Sequence, residues 1–247
     1  MKFQHFVCLI LILSSCSKQK LATEIQGDFN DPNWIKLALT NEREIHAIFG
    51  SIEDTLLVST IYNTYQITEN GKKIVKLKKA FNQAVFGFVK SNDTLYALTA
   101  NHLKYNNGLR FASYAQNFSL DNGLSWNWTD LRKNNADLRK KFQEVVVSDK
   151  LSFSIKENIA PFPNSPNSGK VLKSDLIKNQ IGFQSIFKLP FNNQITSLHL
   201  DHSGRLYVST TAALHNQETK EYSNSEKENL AFIFISKNKA EDLANTN

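Results

Sequence analysis

Four stretches of the chain share one pattern of apolar and polar positions. They are residues 45–60 (IHAIFGSIEDTLLVST), 84–99 (AVFGFVKSNDTLYALT), 142–155 (FQEVVVSDKLSFSI) and 195–210 (ITSLHLDHSGRLYVST). Each is an apolar run, a polar bend and a second apolar run. The bends hold Asp54, Asp93, Asp149 and Gly204. The column after them reads Leu56, Leu95, Leu151 and Leu206, and two positions on stand Val58, Ala97, Phe153 and Val208. A period of two places those side chains on one face of a β-strand. Asp, Asn, Ser and Gly supply the backbone angles and local hydrogen bonds of a tight bend. Each stretch therefore predicts a β-hairpin.

Two more strand-like runs follow each hairpin. After the first they are 64–68 and 74–77, joined by Glu69, Asn70, Gly71 and Lys72. After the second they are 111–119 and a run from Trp126. After the third they are 170–173 and 183–189. The fourth hairpin is followed by 230–236 alone. The repeated unit is a four-stranded antiparallel sheet, and radial packing of such sheets makes an all-β β-propeller. The spacing predicts four blades, and the long third and fourth units leave room for a fifth. Residues 34–39 (WIKLAL) precede the first hairpin without a partner of their own. As the outer strand of the last blade they would close the ring and leave no exposed edge between the chain's two ends.

The first fifteen residues change this picture. Lys2 precedes an apolar run at 6–13 (FVCLILIL), which is shorter than the ~20 residues that span a bilayer core. It predicts a signal peptide over 1–15. Leu13, Ser14, Ser15 and Cys16 resemble the lipobox of bacterial lipoproteins. That resemblance implies cleavage before Cys16 and lipid on its thiol and new amine, enough acyl chains for stable anchoring. Residues 16–31 then read as a polar tether and 32–247 as the propeller domain. Cys8 and Cys16 are the two cysteines of the chain, so the propeller has no disulfide and no thiolate metal site and must rest on its packed core. The 41% hydrophobic and 11% aromatic content is enough for one. A formal charge of +6, with export, gives no argument for nucleic acid.

Ser119, Asp121, Gly123, Ser125 and Trp126 fill every specified position of Ser-x-Asp-x-Gly-x-Ser/Thr-Trp, and the segment resembles the Asp-box, or BNR repeat. The resemblance implies a structural turn between the third and fourth strands of a blade. Asp-boxes occur in sialidases and sortilin-type receptors, so the motif implies a propeller and not a reaction. A sialidase needs an arginine trio that grips a carboxylate in plane. Arg43, Arg110, Arg132, Arg139 and Arg205 are the chain's arginines, and none sits in that family's Arg-Ile-Pro setting.

Connection lengths are unequal. First-to-second and third-to-fourth turns are short. Long connections at 100–110, 130–141, 157–168 and 211–229 share the opposite rim, where binding usually lives on a rigid scaffold. Tyr105, Arg110, Arg132, Arg139, Phe162 and Tyr222 are the candidate contacts there. The expectation is a non-catalytic, lipid-anchored binding or scaffold protein of the bacterial cell envelope, at the outer membrane, facing either the periplasm or the surface. Its partner would be an envelope protein or a glycan, with no nucleic acid, cofactor or metal. The alternative is a sialidase-like glycoside hydrolase.

Overall fold

The computed structural model describes residues 29–77, 83–103, 110–128, 138–223 and 230–243. The chain enters through β1 (Trp34–Thr40). Blade 1 follows as β2 (Ile45–Gly50), β3 (Leu56–Thr60), β4 (Thr64–Thr68) and β5 (Lys73–Lys76). Blade 2 is β6 (Gly87–Ser91), β7 (Thr94–Leu103), β8 (Arg110–Ser119) and an outer edge in two pieces, β9 (Asn127–Trp128) and β10 (Lys140–Lys141). Blade 3 is β11 (Glu144–Ser148), β12 (Leu151–Phe162), β13 (Ser165–Gln180) and β14 (Phe183–Phe187). Blade 4 is β15 (Asn193–Leu200), β16 (Arg205–Asn216) with the short β17 (Glu221–Ser223) on its far end, and β18 (Leu230–Lys239), before a last helical turn α1 (Ala240–Leu243). Every pairing in the four sheets is antiparallel, and the sheets form a ring, a four-bladed β-propeller.

The ring closes as the orphan strand predicts. β1 lies antiparallel to β18, from Trp34 opposite Ser236 to Thr40 opposite Leu230. Both faces of β1 are used. Trp34 and Ala38 enter the core between blades 3 and 4, while Leu37 and Leu39 enter the core between blades 4 and 1. Phe29 already packs on Phe234 at 5.5 Å, so residues assigned to the tether begin to dock before the first strand.

Three of the four seams are apolar. Blade 3 meets blade 4 through Phe153, Ile155, Leu198 and Phe234; blade 4 meets blade 1 through Ile233, Ile235, Ile48 and Val58; blade 1 meets blade 2 through Leu57, Phe88, Leu95 and Trp126. The fourth differs. Blade 2 packs its Leu98, Ala112 and Ala115 on Phe142 of the linking segment, and among the described residues no apolar cluster joins it to the sheet of blade 3. The second strands show why. Where β3 has Leu57 and β16 has Tyr207, β12 has Ser152, and Ser154 follows two residues on. Strands covered on both faces are apolar throughout, whereas a strand covered on one face alternates. Blade 3 is one-sided.

Several predicted loops are strands. The expected connections at 157–168 and, over its described residues 211–223, at 211–229 are largely extended: β12 and β13 pair up to Phe162 opposite Ser165, and β16 runs to Asn216 and pairs with β17. Residues 100–103 likewise belong to β7. Lys140, expected in the long 130–141 connection, lies half-buried on β10 over Gly87, and burial pushes its pKa down.

Candidate functional site

The rims differ in kind. On one rim every turn is short: 51–55, 69–72, 92–93, 119–126, 149–150, 181–182 and 201–204. On the other, hairpins of blades 2, 3 and 4 run past the ring as arms. The blade 3 arm is tied to both neighbours. Glu157 accepts from Arg110 Nη2 at 3.2 Å and from Gln143 Nε2 at 2.7 Å, and the Arg110 amide donates to Gln143 Oε1 at 2.8 Å. On its other side, Lys170 pairs with Glu221 at 2.8 Å, Tyr222 donates to the Leu172 carbonyl at 3.4 Å, and Tyr222 also bonds Gln194. Burial pushes the Tyr222 phenol up to about 12.

The structure places four of the six predicted rim residues; Tyr105 and Arg132 lie outside the described residues, as does Cys16. Arg110 and Tyr222 are struts between arms. Arg139 sits over the Phe111 ring at 5.3 Å, and His102 stacks with the same ring at 5.4 Å, at the root of the blade 2 arm. Phe162 is at the tip of the blade 3 arm, 52% exposed. They are spread over three arms and converge on no common point.

The uncovered face of blade 3 holds a concavity of about 600 Å³ that sequence reasoning missed. Its floor is set by register: Val146, Ser152, Asn179 and Gln184 form one row across the sheet, and Glu144, Ser154, Ile177 and Ile186 the next. Asn179 Nδ2 donates to Ser154 Oγ at 3.0 Å and to Ser152 Oγ at 3.3 Å. Lys156, Glu157 and Ile159 complete the lining toward the arm. The lining offers amide, hydroxyl and both charges beside aliphatic surface, the mixture that fixes and orients a polar ligand. The signal was present in the alternation LSFSI.

The opposite rim carries a buried polar network between blades 4 and 1. Asp201 takes Ser203 and Arg205 amides on Oδ1, each at 2.9 Å, and the Tyr207 and Ser51 hydroxyls on Oδ2 at 2.8 and 3.0 Å. The Tyr207 oxygen in turn accepts from the Ile52 amide at 3.0 Å. His199 lies beside it, Nε2 2.9 Å from the Gly50 carbonyl, which makes Nε2 the protonated nitrogen. Burial pushes its pKa down to about 4 from 6.5, against the opposing pull of that carbonyl. The unfolded chain therefore binds a proton in this window that the folded chain does not. The contribution of neutral His199 is complete above pH 6.5 and falls away as the pH drops through about 4, a loss on the order of 3 kcal/mol. Urea midpoints measured at pH 7.5 and 4.5 should separate accordingly, and His199→Gln should narrow the gap.

The Ser119–Trp126 turn is locally self-sufficient. Ser119 Oγ donates to Asp121 Oδ1 at 2.7 Å and accepts from the Gly123 amide at 2.7 Å. Asp121 accepts from the Ser125 amide at 2.9 Å and hydroxyl at 2.6 Å, bonds that hold its carboxyl down to about 2. Trp126 donates to the Gly123 carbonyl at 3.0 Å and packs against Phe88 in the seam with blade 1. Gly123 has φ +95°, and a Cβ there would sit 2.6 Å from Leu57 Cδ2. Gly123→Ala is therefore expected to cost about 1–3 kcal/mol, from left-handed strain plus a clash in the seam, read as a lower denaturant midpoint with unchanged slope.

No protein-family model matches the chain, and no curated protein matches it. Among solved structures the chain is similar to the WD40 beta propeller domain of Doa1, with 12% identity and a TM-score of 0.29, over 77% of this chain and 78% of that one. The fold stands on its own strand pairing. Among the described residues no helix is long and apolar enough to cross a membrane, and no three His, Cys, Asp or Glu side chains are placed to hold a metal.

Proposed function

We propose that this protein is a non-catalytic binding lipoprotein of the bacterial cell envelope. In this reading it is held at the outer membrane by lipid on Cys16 and takes an envelope protein or glycan on the rim of arms. The Ser119–Trp126 turn is a structural Asp-box, because Ser119, Asp121, Ser125 and Trp126 bond to one another and to the turn's own backbone.

One observation carries the reading: the chain enters on the rim opposite the arms. Trp34 stands opposite Ser236, level with the short 201–204 turn, and Lys237 Nζ donates to the Asp31 carbonyl at 2.6 Å on that rim. A tether leaving there sets the short turns toward the membrane and the arms away from it. The blade 3 arm then offers Phe162, Ile159 and Val171, each at least half exposed, beside the polar concavity at its root. Long elements on a rigid scaffold, presented outward, suit recognition.

The test has two arms. Labelled palmitate should enter the wild-type chain in bacteria and not Cys16→Ala. Wild-type protein should retain a defined envelope protein or polysaccharide from solubilised envelopes. A variant whose arm residues 158–172 are replaced by a short turn should lose it while keeping the wild-type unfolding midpoint within about 1 kcal/mol. Equal retention by both proteins would reject the arm as the binding element, and absent palmitate would reject the anchor.

A further inference from the structure

The outer strand of blade 3 is the long uncharged outer edge among the described residues, since the other uncharged piece, β9, is only Asn127 and Trp128. β14 reads FQSIF, with no charge and no proline. By contrast β5 carries Lys73 and Lys76, β10 is Lys140–Lys141, and β1 carries Lys36. An outer strand leaves a row of N–H and C=O groups without a ladder partner, and charged side chains there oppose the addition of another strand. Among the described residues β14 pairs with β13 alone. Its Phe183 and Ile186 are 59% and 61% exposed, and Ile181 in the preceding turn is 74% exposed. The edge thus combines open backbone, exposed apolar side chains and no repelling charge.

We propose that β14 is a self-association edge, to which a second copy of this chain adds its own β14 antiparallel about a twofold axis through Ser185. That register sets Phe183 against Phe187, Gln184 against Ile186, and Ser185 against its own copy. Just past the strand it sets Gly182 against Lys188. No like charges meet. The same operation on β5 would set Lys73 against Lys76, and on β10 Lys140 against Lys141, arrangements that like-charge repulsion disfavours. Phe187 is buried at the outer end of the blade 3 core, where it meets Trp34 and Phe153 edge-on. The Phe183 ring of the second copy would lie beside it on the same sheet face, and Ile186 would be covered by the aliphatic part of Gln184. The contact is isologous, so it closes at two copies and does not propagate.

The register is testable through cysteine placement, because Cys8 and Cys16 are the chain's only cysteines. With both changed to Ser in the full chain, Ser185→Cys becomes the sole thiol. In a glutathione redox buffer it should form a disulfide-linked dimer about tenfold faster than Asp93→Cys, whose thiol would sit in an exposed turn of blade 2, because pairing raises the effective concentration of the thiol. Sedimentation of the full-length chain carrying the two Cys→Ser changes, which is neither cleaved nor lipidated, should give twice the 28.1 kDa mass of one chain. Q184K/I186K, which sets lysine against lysine twice, should give the single-chain mass. Q184E/I186K, which sets opposite charges together, should keep the dimer. A single-chain mass for the chain with the two Cys→Ser changes alone, equal disulfide rates at 185 and 93, or a dimer indifferent to Q184K/I186K would each overturn the proposal.

Discussion

Leu37→Asp is expected to abolish the cooperative unfolding transition, and Leu37→Ala to lower stability by about 3 kcal/mol. Leu37 is 1% exposed on β1 and lies in the core that joins blade 4 to blade 1. It packs so closely on the blade 1 turn that a Cβ added at Gly71 would sit 2.7 Å from it. Truncation to alanine removes buried methyl groups and leaves a cavity at the point where the ring is joined. Aspartate adds an unpaired buried charge, a burden that approaches the whole stability of about 5–15 kcal/mol typical of a domain. Tryptophan fluorescence in urea should show a shifted transition for the alanine variant and a sloping signal without a midpoint for the aspartate one. An aspartate variant within about 1 kcal/mol of wild type would mean that β1 is not needed for closure.

Asp201→Ala is expected to cost about 3–4 kcal/mol. The carboxylate is 6% exposed and accepts four hydrogen bonds, so its loss strands the Ser51 and Tyr207 hydroxyls and the Ser203 and Arg205 amides at once. Tyr207→Phe should cost less, about 1–3 kcal/mol, since it leaves the Ile52 amide and one carboxylate oxygen short of a partner. The two substitutions remove parts of one network, so the double variant should fall short of the summed costs. A denaturation cycle over the four proteins measures this, and strict additivity would show that the two groups act independently.

The blades were legible because they are defined by burial. Leu56, Leu95, Leu151 and Leu206 each follow a polar bend and end in a core, and the apolar run from Trp34 to Leu39 could only be stable with a partner. The arms were not legible, for the same reason. Residues 157–171 carry Pro161, Pro163 and Pro166 and no regular alternation of apolar and polar positions, because an arm beyond the ring has little to bury and is held by its backbone ladder and by struts such as Arg110 and Tyr222. The concavity on blade 3 was written in Ser152 and Ser154, but its meaning needs comparison with Leu57 and Tyr207 at the matching positions of other blades. Asp201 precedes the Gly204 bend and carries no mark of its own in the sequence. Its bond to Ser51 spans 150 residues of sequence, and no local pattern encodes a partner at that distance.

Among the described residues, the strand that completes the last sheet comes first along the chain, and its partner is the last strand. Leu37 and Leu39 cannot find Ile233 and Ile235 until nearly all of the chain is available. Such distant pairing slows folding, because a large loop must be closed before the contact gives anything back. Until residues 230–239 arrive, the ring stays open, and their pairing with residues 34–40 is the step at which it sets.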